Sequence, residues 1–393
     1  MLRGTLAFLL LVTFAVVGAE LRNLLARRGL RAPAMEGVSF LVVGFVLGGS
    51  VLGLFPADMV ASLRVVVLFG LAWIGLVFGV QMELRIIRRL APWHRWVGLV
   101  APVMLAAPVA IGAVAAGLPS AIALSLAAIA MAVSPTSLEG LARGRQPRDR
   151  GALRLLKLVM AFSGIPAVAV FAVATAVGSP LAVSSGGEIP AWHLAIFMVA
   201  VGILVGYALV VLVRGVKEHI HLLTLASGTM CLVAGATAVL GLSGLPAAAC
   251  AGAVLVNRCV FPHRMLRVVH SLERPMLVAL LVLVGASWGG ASFSWATFLL
   301  LTLVRTAAAI TTGAVLGRVV RARGLVVHTA GLGWGLLPQG ELALGLLVAT
   351  ITFFPNSAGI LEAVVAAMLV NNAAGQWWMR RRLFVRGDGG SAE

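Results

Sequence analysis

Length, composition and charge place this chain in a membrane. Its 393 residues are 61% hydrophobic and 11% charged, whereas about a quarter of the residues in a soluble domain are charged. The net charge of +17 would suit nucleic acid, but the arginines stand in short clusters between apolar runs, and no polar domain remains to bind it. Composition therefore excludes a soluble domain, argues against a nucleic-acid partner and predicts a lipid bilayer as the surroundings.

The chain contains about thirteen apolar segments, most of them near the 20 or so residues that cross a bilayer as a helix. The first, residues 1–19, has the apolar core of a signal peptide, but more arginines follow it than precede it, which favours a retained first helix. The others span 38–55, 61–82, 96–117, 119–138, 152–177, 191–213, 220–241, 245–257, 274–289, 294–319, 326–354 and 358–379.

Basic residues occupy every second loop between these segments. They cluster within 22–31, 85–95, 143–150, 214–217, 258–267, 318–323 and 380–382, while the alternate loops are almost free of them. The positive-inside rule then puts the N-terminus outside and the C-terminus, with a short tail of residues 383–393, in the cytoplasm. We expect a multi-pass protein of the bacterial inner membrane.

Two of the apolar segments are interrupted by proline. Pro135 lies in AIAMAVSPTSLEG (128–140), and Pro338, followed by Gly340, lies in GWGLLPQGEL (333–342). Proline removes a backbone donor and clashes with the preceding turn, so both helices should open where lipid cannot satisfy the freed groups. Such breaks at matching places in two halves of a chain point to a transporter's binding site. The fifth and twelfth segments enter from opposite sides, which predicts an all-α inverted repeat with two crossed helices.

Two ionisable residues lie deep in the predicted membrane region. A charged group is energetically costly there, so such residues are candidates for a functional role. Glu341 directly follows the second break, and it can carry a proton or simply hydrogen-bond the opened backbone. Arg305 lies inside the eleventh segment and cannot lose its charge. It can pair with Glu341, satisfy carbonyls of the opened helices or receive an anion.

Polar uncharged side chains accompany the breaks. Ser134 and Thr136 offer hydroxyls that, with freed carbonyls, can coordinate a monovalent ion. Asn371 and Asn372 in the last segment can assist. Hydrogen bonds between helices account for the same residues equally well.

Two further charges lie nearer the cytoplasmic ends of the fifth and sixth segments. Glu139 and Lys157 can line an inner vestibule, although we expect Lys157 to snorkel to the interface. The sequence contains no nucleophilic triad, phosphate loop or metal-binding cysteine and histidine spacing. It therefore predicts a transporter rather than an enzyme, with no cofactor and no metal site.

Three stretches resemble the monovalent cation:proton antiporters. They are residues 131–174, which hold Ser134-Pro135-Thr136, residues 241–259 together with 274–288, and GWGLLPQGELALGLL (333–347). The resemblance implies one transmembrane domain, 1–382, that forms a homodimer and exchanges a monovalent ion for protons. It further implies panel helices near 4–82 and 220–289, a linker helix near 191–213, and a moving core near 96–177 and 294–379. Within it, Arg305 matches the family's basic residue and Glu341 matches its Gly-Glu pair.

One position departs from this pattern. Family members usually carry an Asp-Asp or Asn-Asp pair in the sixth helix, where this chain has Ser163 and Gly164. Without that carboxylate Arg305 loses its expected partner, and a positive site disfavours Na⁺ or K⁺. We expect ion:proton exchange with Glu341 as the titrating group. The alternatives are the same fold carrying an anion or small organic acid through Arg305, and a membrane subunit or sensor that transports nothing.

Overall fold

The structure, a computed structural model, describes most of the chain and is almost entirely helical. It describes residues 36–48, 52–54, 62–142, 145–184, 190–216, 218–259, 262–287, 293–323, 331–354 and 358–386. The helices are α1 Glu36–Leu47, α2 Arg64–Val80, α3 Leu84–Arg89, α4 Pro92–Ala115, α5 Ser120–Met131, α6 Pro135–Ala142, α7 Arg150–Val177, α8 Pro180–Ser184, α9 Ala191–Val213, α10 His219–Val239, α11 Gly244–Arg258, α12 Pro262–Ala286, α13 Trp295–Leu299, α14 Arg305–Ala322, α15 Glu341–Phe353 and α16 Ala358–Arg382. A π-helical turn, Leu300–Val304, joins α13 to α14, and a 3-10 helix, Leu332–Leu336, precedes α15.

The predicted helical membrane fold is confirmed. Among the described residues, seven helices are long and apolar enough to cross a membrane. Two shorter apolar helices, Ser120–Met131 and Glu341–Phe353, are parts of the two segments that the sequence predicted to be interrupted. The predicted first helix, 1–19, lies outside the described residues, and the other predicted segments each overlap a helix.

Contacts divide the chain into two compact units. The first unit comprises Met1–Arg89, Phe171–Ser292 and Leu344–Ala358. Its core includes Trp73, a fully buried side chain on α2 whose indole Nε1 donates to the carbonyl of Val269 on α12 at 3.1 Å. Helices α2 and α11 also pack closely in this core. A Cβ added to Gly79 would lie 2.1 Å from the carbonyl oxygen of Ala249, so the two backbones approach each other at this glycine. The predicted roles of panel, linker and moving core stay predictions.

The second unit carries the interrupted helices. It comprises Leu90–Val170, Phe293–Ala343 and Gly359–Glu393. In its core α14 touches the 3-10 helix backbone to backbone, since a Cβ on Gly313 would lie 2.1 Å from the amide nitrogen of Gly333. A side chain at either glycine would push the second break away from α14.

A short antiparallel strand pair lies outside the helices of this unit. The first strand, β1 (Arg145–Pro147), follows α6, and the second, β2 (Phe384–Arg386), follows α16. The backbone N–H of Arg148 extends the pairing by donating to the carbonyl of Leu383 at 2.8 Å. The predicted tail therefore begins as a paired strand, with Phe384 buried.

Candidate functional site

The first helix break follows Met131. The chain leaves helical geometry at Ala132 (φ −73°, ψ 84°) and re-enters it at Pro135, the first residue of α6. Proline has no N–H to donate. At the first position of a helix this costs nothing, because an N–H there would have no acceptor within the helix. Pro135 therefore suits the first position of α6.

The second break follows the 3-10 helix. Leu337 to Gly340 separate that helix from Glu341, the first residue of α15. Pro338 is buried, and its ring again prevents a continuous α-helical ladder across the interruption. Gly340 permits a close approach, because a Cβ there would lie 2.5 Å from the hydroxyl oxygen of Ser134.

The two breaks bond to each other through their backbones. Val133 and Gln339 form an isolated antiparallel bridge, and the N–H of Ser134 donates to the carbonyl of Pro338 at 2.9 Å. Groups that lipid could not satisfy are thus paired across the crossing. The structure brings the two predicted interruptions into one place.

Arg305 lies at this crossing with none of its surface exposed. Its Nε donates to the carbonyl of Ala130 at 3.1 Å, its Nη1 to that of Leu337 at 2.8 Å and its Nη2 to that of Leu336 at 3.3 Å. These carbonyls stand at the ends of the helical stretches that precede the breaks, where intrahelical donors run out and partial negative charge accumulates. One guanidinium therefore serves both breaks.

The electrostatics of the site follow from that burial. Among the residues that the structure describes, Arg305 is the one buried charged side chain, and its hydrogen bonds within this part of the chain go to carbonyls. Of the three roles that the sequence left open for Arg305, the structure shows the pairing with opened-helix carbonyls. The site is therefore positively charged at its centre.

Amide side chains complete the network. The Oδ1 of Asn372 accepts from the N–H of Gln339 at 2.6 Å, and its Nδ2 donates to the carbonyl of the same residue at 3.2 Å. The Nε2 of Gln339 reaches back to the carbonyl of Ile129 at 2.7 Å. Sequence reasoning placed Gln339 in the break without giving it a role. The signal was its position, a polar side chain between the proline and glycine that open the helix.

Asn371 supports the neighbouring π-helical turn. Its Nδ2 donates to the carbonyl of Leu301 at 2.9 Å, and its Oδ1 accepts from the hydroxyl of Thr306 at 3.3 Å. A π-helical turn leaves a carbonyl out of the regular ladder and often marks a functional site. The hydrogen bonds expected as the alternative role of Asn371 and Asn372 are therefore present.

Hydroxyl groups surround the first break. The Oγ of Ser134, buried, accepts from the N–H of Ser137 at 3.3 Å and lies 3.2 Å from its hydroxyl. The Oγ of Ser163 donates to the carbonyl of Met160 at 2.8 Å and lies 3.4 Å from that of Val133. Ser163, at the position where a carboxylate was expected, thus contacts the break directly.

The remaining predicted residues are placed differently. Glu341, Glu139 and Lys157 all have exposed side chains, and Glu341 directly follows Gly340 of the second break. Thr136 is the second residue of α6, and its side chain lies outside the described part of the molecule. No cluster of metal-ligating side chains occurs among the described residues.

Comparison with known proteins identifies the family of this chain. The family model described as the transmembrane sodium/hydrogen exchanger matches residues 9–373. The chain belongs to the sodium/hydrogen exchanger family. A search of curated proteins found no match.

Solved structures give the same fold for this exchanger-family chain. It is similar to the sodium/proton antiporter MjNhaP1 from Methanocaldococcus jannaschii at pH 8, with 15% identity, a TM-score of 0.67, and coverage of 97% of this chain and 98% of the other. An electron-microscopy structure of the same antiporter matches with 16% identity, a TM-score of 0.63, and coverage of 93% and 94%. At these identities the likeness shows the fold.

Proposed function

We propose that this exchanger-family protein is a secondary active transporter that exchanges a monovalent cation for protons. The observation that carries the proposal is the meeting of two interrupted helices around the buried Arg305. Interrupted membrane helices present backbone dipoles to a site within the bilayer, which is how such transporters bind ions. The family membership supplies the class of substrate.

We assign the proton to Glu341. Its carboxylate is exposed and directly follows the second break, so it can exchange a proton with water. Ser134, Thr136 and Ser163 provide oxygens near the first break, and a hydroxyl that donates its proton still has lone pairs for a cation. Arg305 holds both breaks in place while the cation and the proton compete.

A second candidate is transport of an anion or small organic acid. It is favoured by the positive centre, since the buried charge among the described residues is that of Arg305. Against it, the guanidinium already donates to three carbonyls. An anion would have to share or displace those bonds.

Reconstituted vesicles containing a pH-sensitive dye separate these functions. An imposed gradient of Na⁺ or K⁺ should drive protons in the opposite direction, and protein-free vesicles should show no response. Proton movement driven only by an anion gradient would replace our proposal with the second candidate. If no ion gradient drives proton movement although the protein is folded and inserted, a subunit or sensor that transports nothing would be favoured.

We further propose a homodimer in the bacterial inner membrane. The support is the family resemblance, together with exposed apolar side chains on α9, for example Leu204 at 71% and Trp192 at 58% exposure, which need lipid or a second copy as cover. Native mass spectrometry from mild detergent should show the dimer. A monomer at every protein concentration would contradict this assembly.

A further inference from the structure

A groove of about 280 Å³ runs along one side of α14 in the second unit. One wall is a stripe of that helix formed by Ile310, Ala314, Arg318 and Arg321, and the opposite wall is formed by residues 331–334. The spacing of four, four and three residues keeps the stripe on one helix face. The groove therefore has a continuous side wall about 16 Å long, at 1.5 Å per residue.

Backbone contacts fix the opposite wall. Gly331 has a left-handed conformation (φ +82°) that turns the chain into the 3-10 helix. A Cβ on Gly333 would lie 2.1 Å from the carbonyl oxygen of Ala309, so the two backbones touch at the floor of the groove. A cavity bounded this way does not close by a simple change of side-chain rotamer.

The charge in the groove is concentrated at one end. Arg318 and Arg321 are both exposed, and no acidic residue is among the described residues that line the cavity. The Nε of Arg321 donates to the carbonyl of Gly317 at 3.3 Å. Two guanidinium groups at the same end of the groove suit a phosphate, which arginine binds through paired N–H donors.

The position of the groove along the candidate membrane span indicates which kind of phosphate compound it binds. Helices α13 and α14 form a candidate membrane span, Trp295–Ala322, and the two arginines lie in its last turns. Ile310 lies about 12 Å deeper along the helix axis than Arg318, at 1.5 Å per residue. Positive charge thus stands at the membrane surface and apolar side chains stand below it, which matches a phospholipid headgroup above its acyl chains.

We propose that this groove binds one anionic phospholipid. The phosphate contacts Arg318 and Arg321, and the first part of an acyl chain packs on Ile310, Ala314 and the half-buried Trp334. A free phosphate ion would leave the apolar wall uncovered. Because residues 331–334 lead into the carbonyls that accept from Arg305, a bound lipid also holds the second helix break against α14.

The test is lipid binding to the purified full chain by native mass spectrometry, with phosphatidylglycerol as the anionic lipid and phosphatidylcholine as the neutral one. Wild-type protein should retain phosphatidylglycerol in preference. The double change Arg318→Gln/Arg321→Gln should weaken that binding roughly tenfold or more, since each arginine near a membrane surface contributes on the order of 1 kcal/mol toward anionic lipid. Inorganic phosphate at millimolar concentration should not displace the lipid.

Two further variants control for charge alone. Arg380→Gln/Arg382→Gln removes the same charge from exposed positions at the end of α16 and should bind phosphatidylglycerol like wild type. Ala314→Trp keeps both arginines but fills the groove, and should lose the lipid while thermal unfolding shows a folded protein. Equal losses in both double variants, undiminished binding in Ala314→Trp, or displacement by inorganic phosphate would each overturn the proposal.

Discussion

The backbone N–H of Ser134 donates to the carbonyl of Pro338 at 2.9 Å, although the two residues are 204 positions apart along the chain. Ser134 lies in the first break, next to Pro135, and Pro338 lies in the second. The bond shows that the two interruptions are complementary, because the donor freed in one satisfies the acceptor freed in the other. Changes that separate the breaks should therefore damage both together.

Glu341→Gln should abolish proton-coupled transport and leave folding nearly unchanged. The amide keeps the shape of the side chain but cannot exchange a proton. Since Glu341 is exposed and the described partners of Arg305 are carbonyls, we expect a stability change within about 1 kcal/mol. Dye-loaded vesicles and thermal unfolding in detergent give the two readouts.

The matched control for that change is Glu83→Gln. Glu83 lies in the turn between α2 and α3 in the first unit, and its loss should leave exchange intact. A Glu341→Gln protein that still exchanges ions with unchanged pH dependence would contradict the assignment of the proton to this residue.

Arg305→Gln should destabilise the protein by roughly 3 kcal/mol or more. The substitution leaves three buried carbonyls without their charged donor, and each orphaned group costs about 1–3 kcal/mol. Arg305→Lys should fall between wild type and the glutamine variant, because an ammonium keeps the charge but lacks the planar fork that reaches both breaks. Thermal or denaturant unfolding in detergent is the measurement.

Arg323→Gln serves as the comparison for Arg305. Arg323 is exposed, and its guanidinium carbon lies 5.2 Å from the ring centroid of Trp93, so we expect a loss of at most about 1 kcal/mol. Similar losses for the two arginines would mean that Arg305 does not hold the crossing.

Gly340→Ala should separate the breaks and cost about 1–3 kcal/mol, the usual cost of overpacking. The added Cβ would lie 2.5 Å from the Oγ and 2.8 Å from the Cβ of Ser134. Adding Ser134→Gly to the same chain removes both atoms, so the double variant should recover part of the lost stability.

Gly228→Ala is the control for a glycine change within a helix. A Cβ at Gly228 meets nothing within 4 Å, and alanine is the better helix former, so stability should hold or rise. Equal damage from the two alanine substitutions, or no recovery in the double variant, would argue against a steric role for Gly340.

The proposed orientation, with the N-terminus outside and the C-terminus in the cytoplasm, predicts opposite labelling of two engineered cysteines. In a background without Cys231, Cys250 and Cys259, Ser120→Cys at the start of α5 should react with a membrane-impermeant maleimide in intact cells. Arg148→Cys, in the basic loop before α7, should react only after the membrane is opened. Both native side chains are exposed. Labelling of both in intact cells would refute the proposed topology.

The sequence by itself determined the membrane class, the helical fold and the places where two helices open. These features are local. A stretch of about 20 apolar residues forms a helix in lipid because every backbone group must be satisfied within the segment. Pro135 and Pro338 lie at the two breaks, where the missing N–H of proline disfavours a continuous helix, whereas Pro102 and Pro166 lie inside uninterrupted helices.

Only the tertiary structure decided which groups satisfy the openings. The partners of Arg305 come from positions 130, 336 and 337, and Gln339 reaches Ile129 across 210 residues. No spacing rule relates such positions, because a side chain selects its acceptor by proximity after the helices have packed. For the same reason the sequence could only suggest that Glu341 and Arg305 pair. In the packed structure the Glu341 side chain is exposed, and the Arg305 side chain is buried among carbonyls.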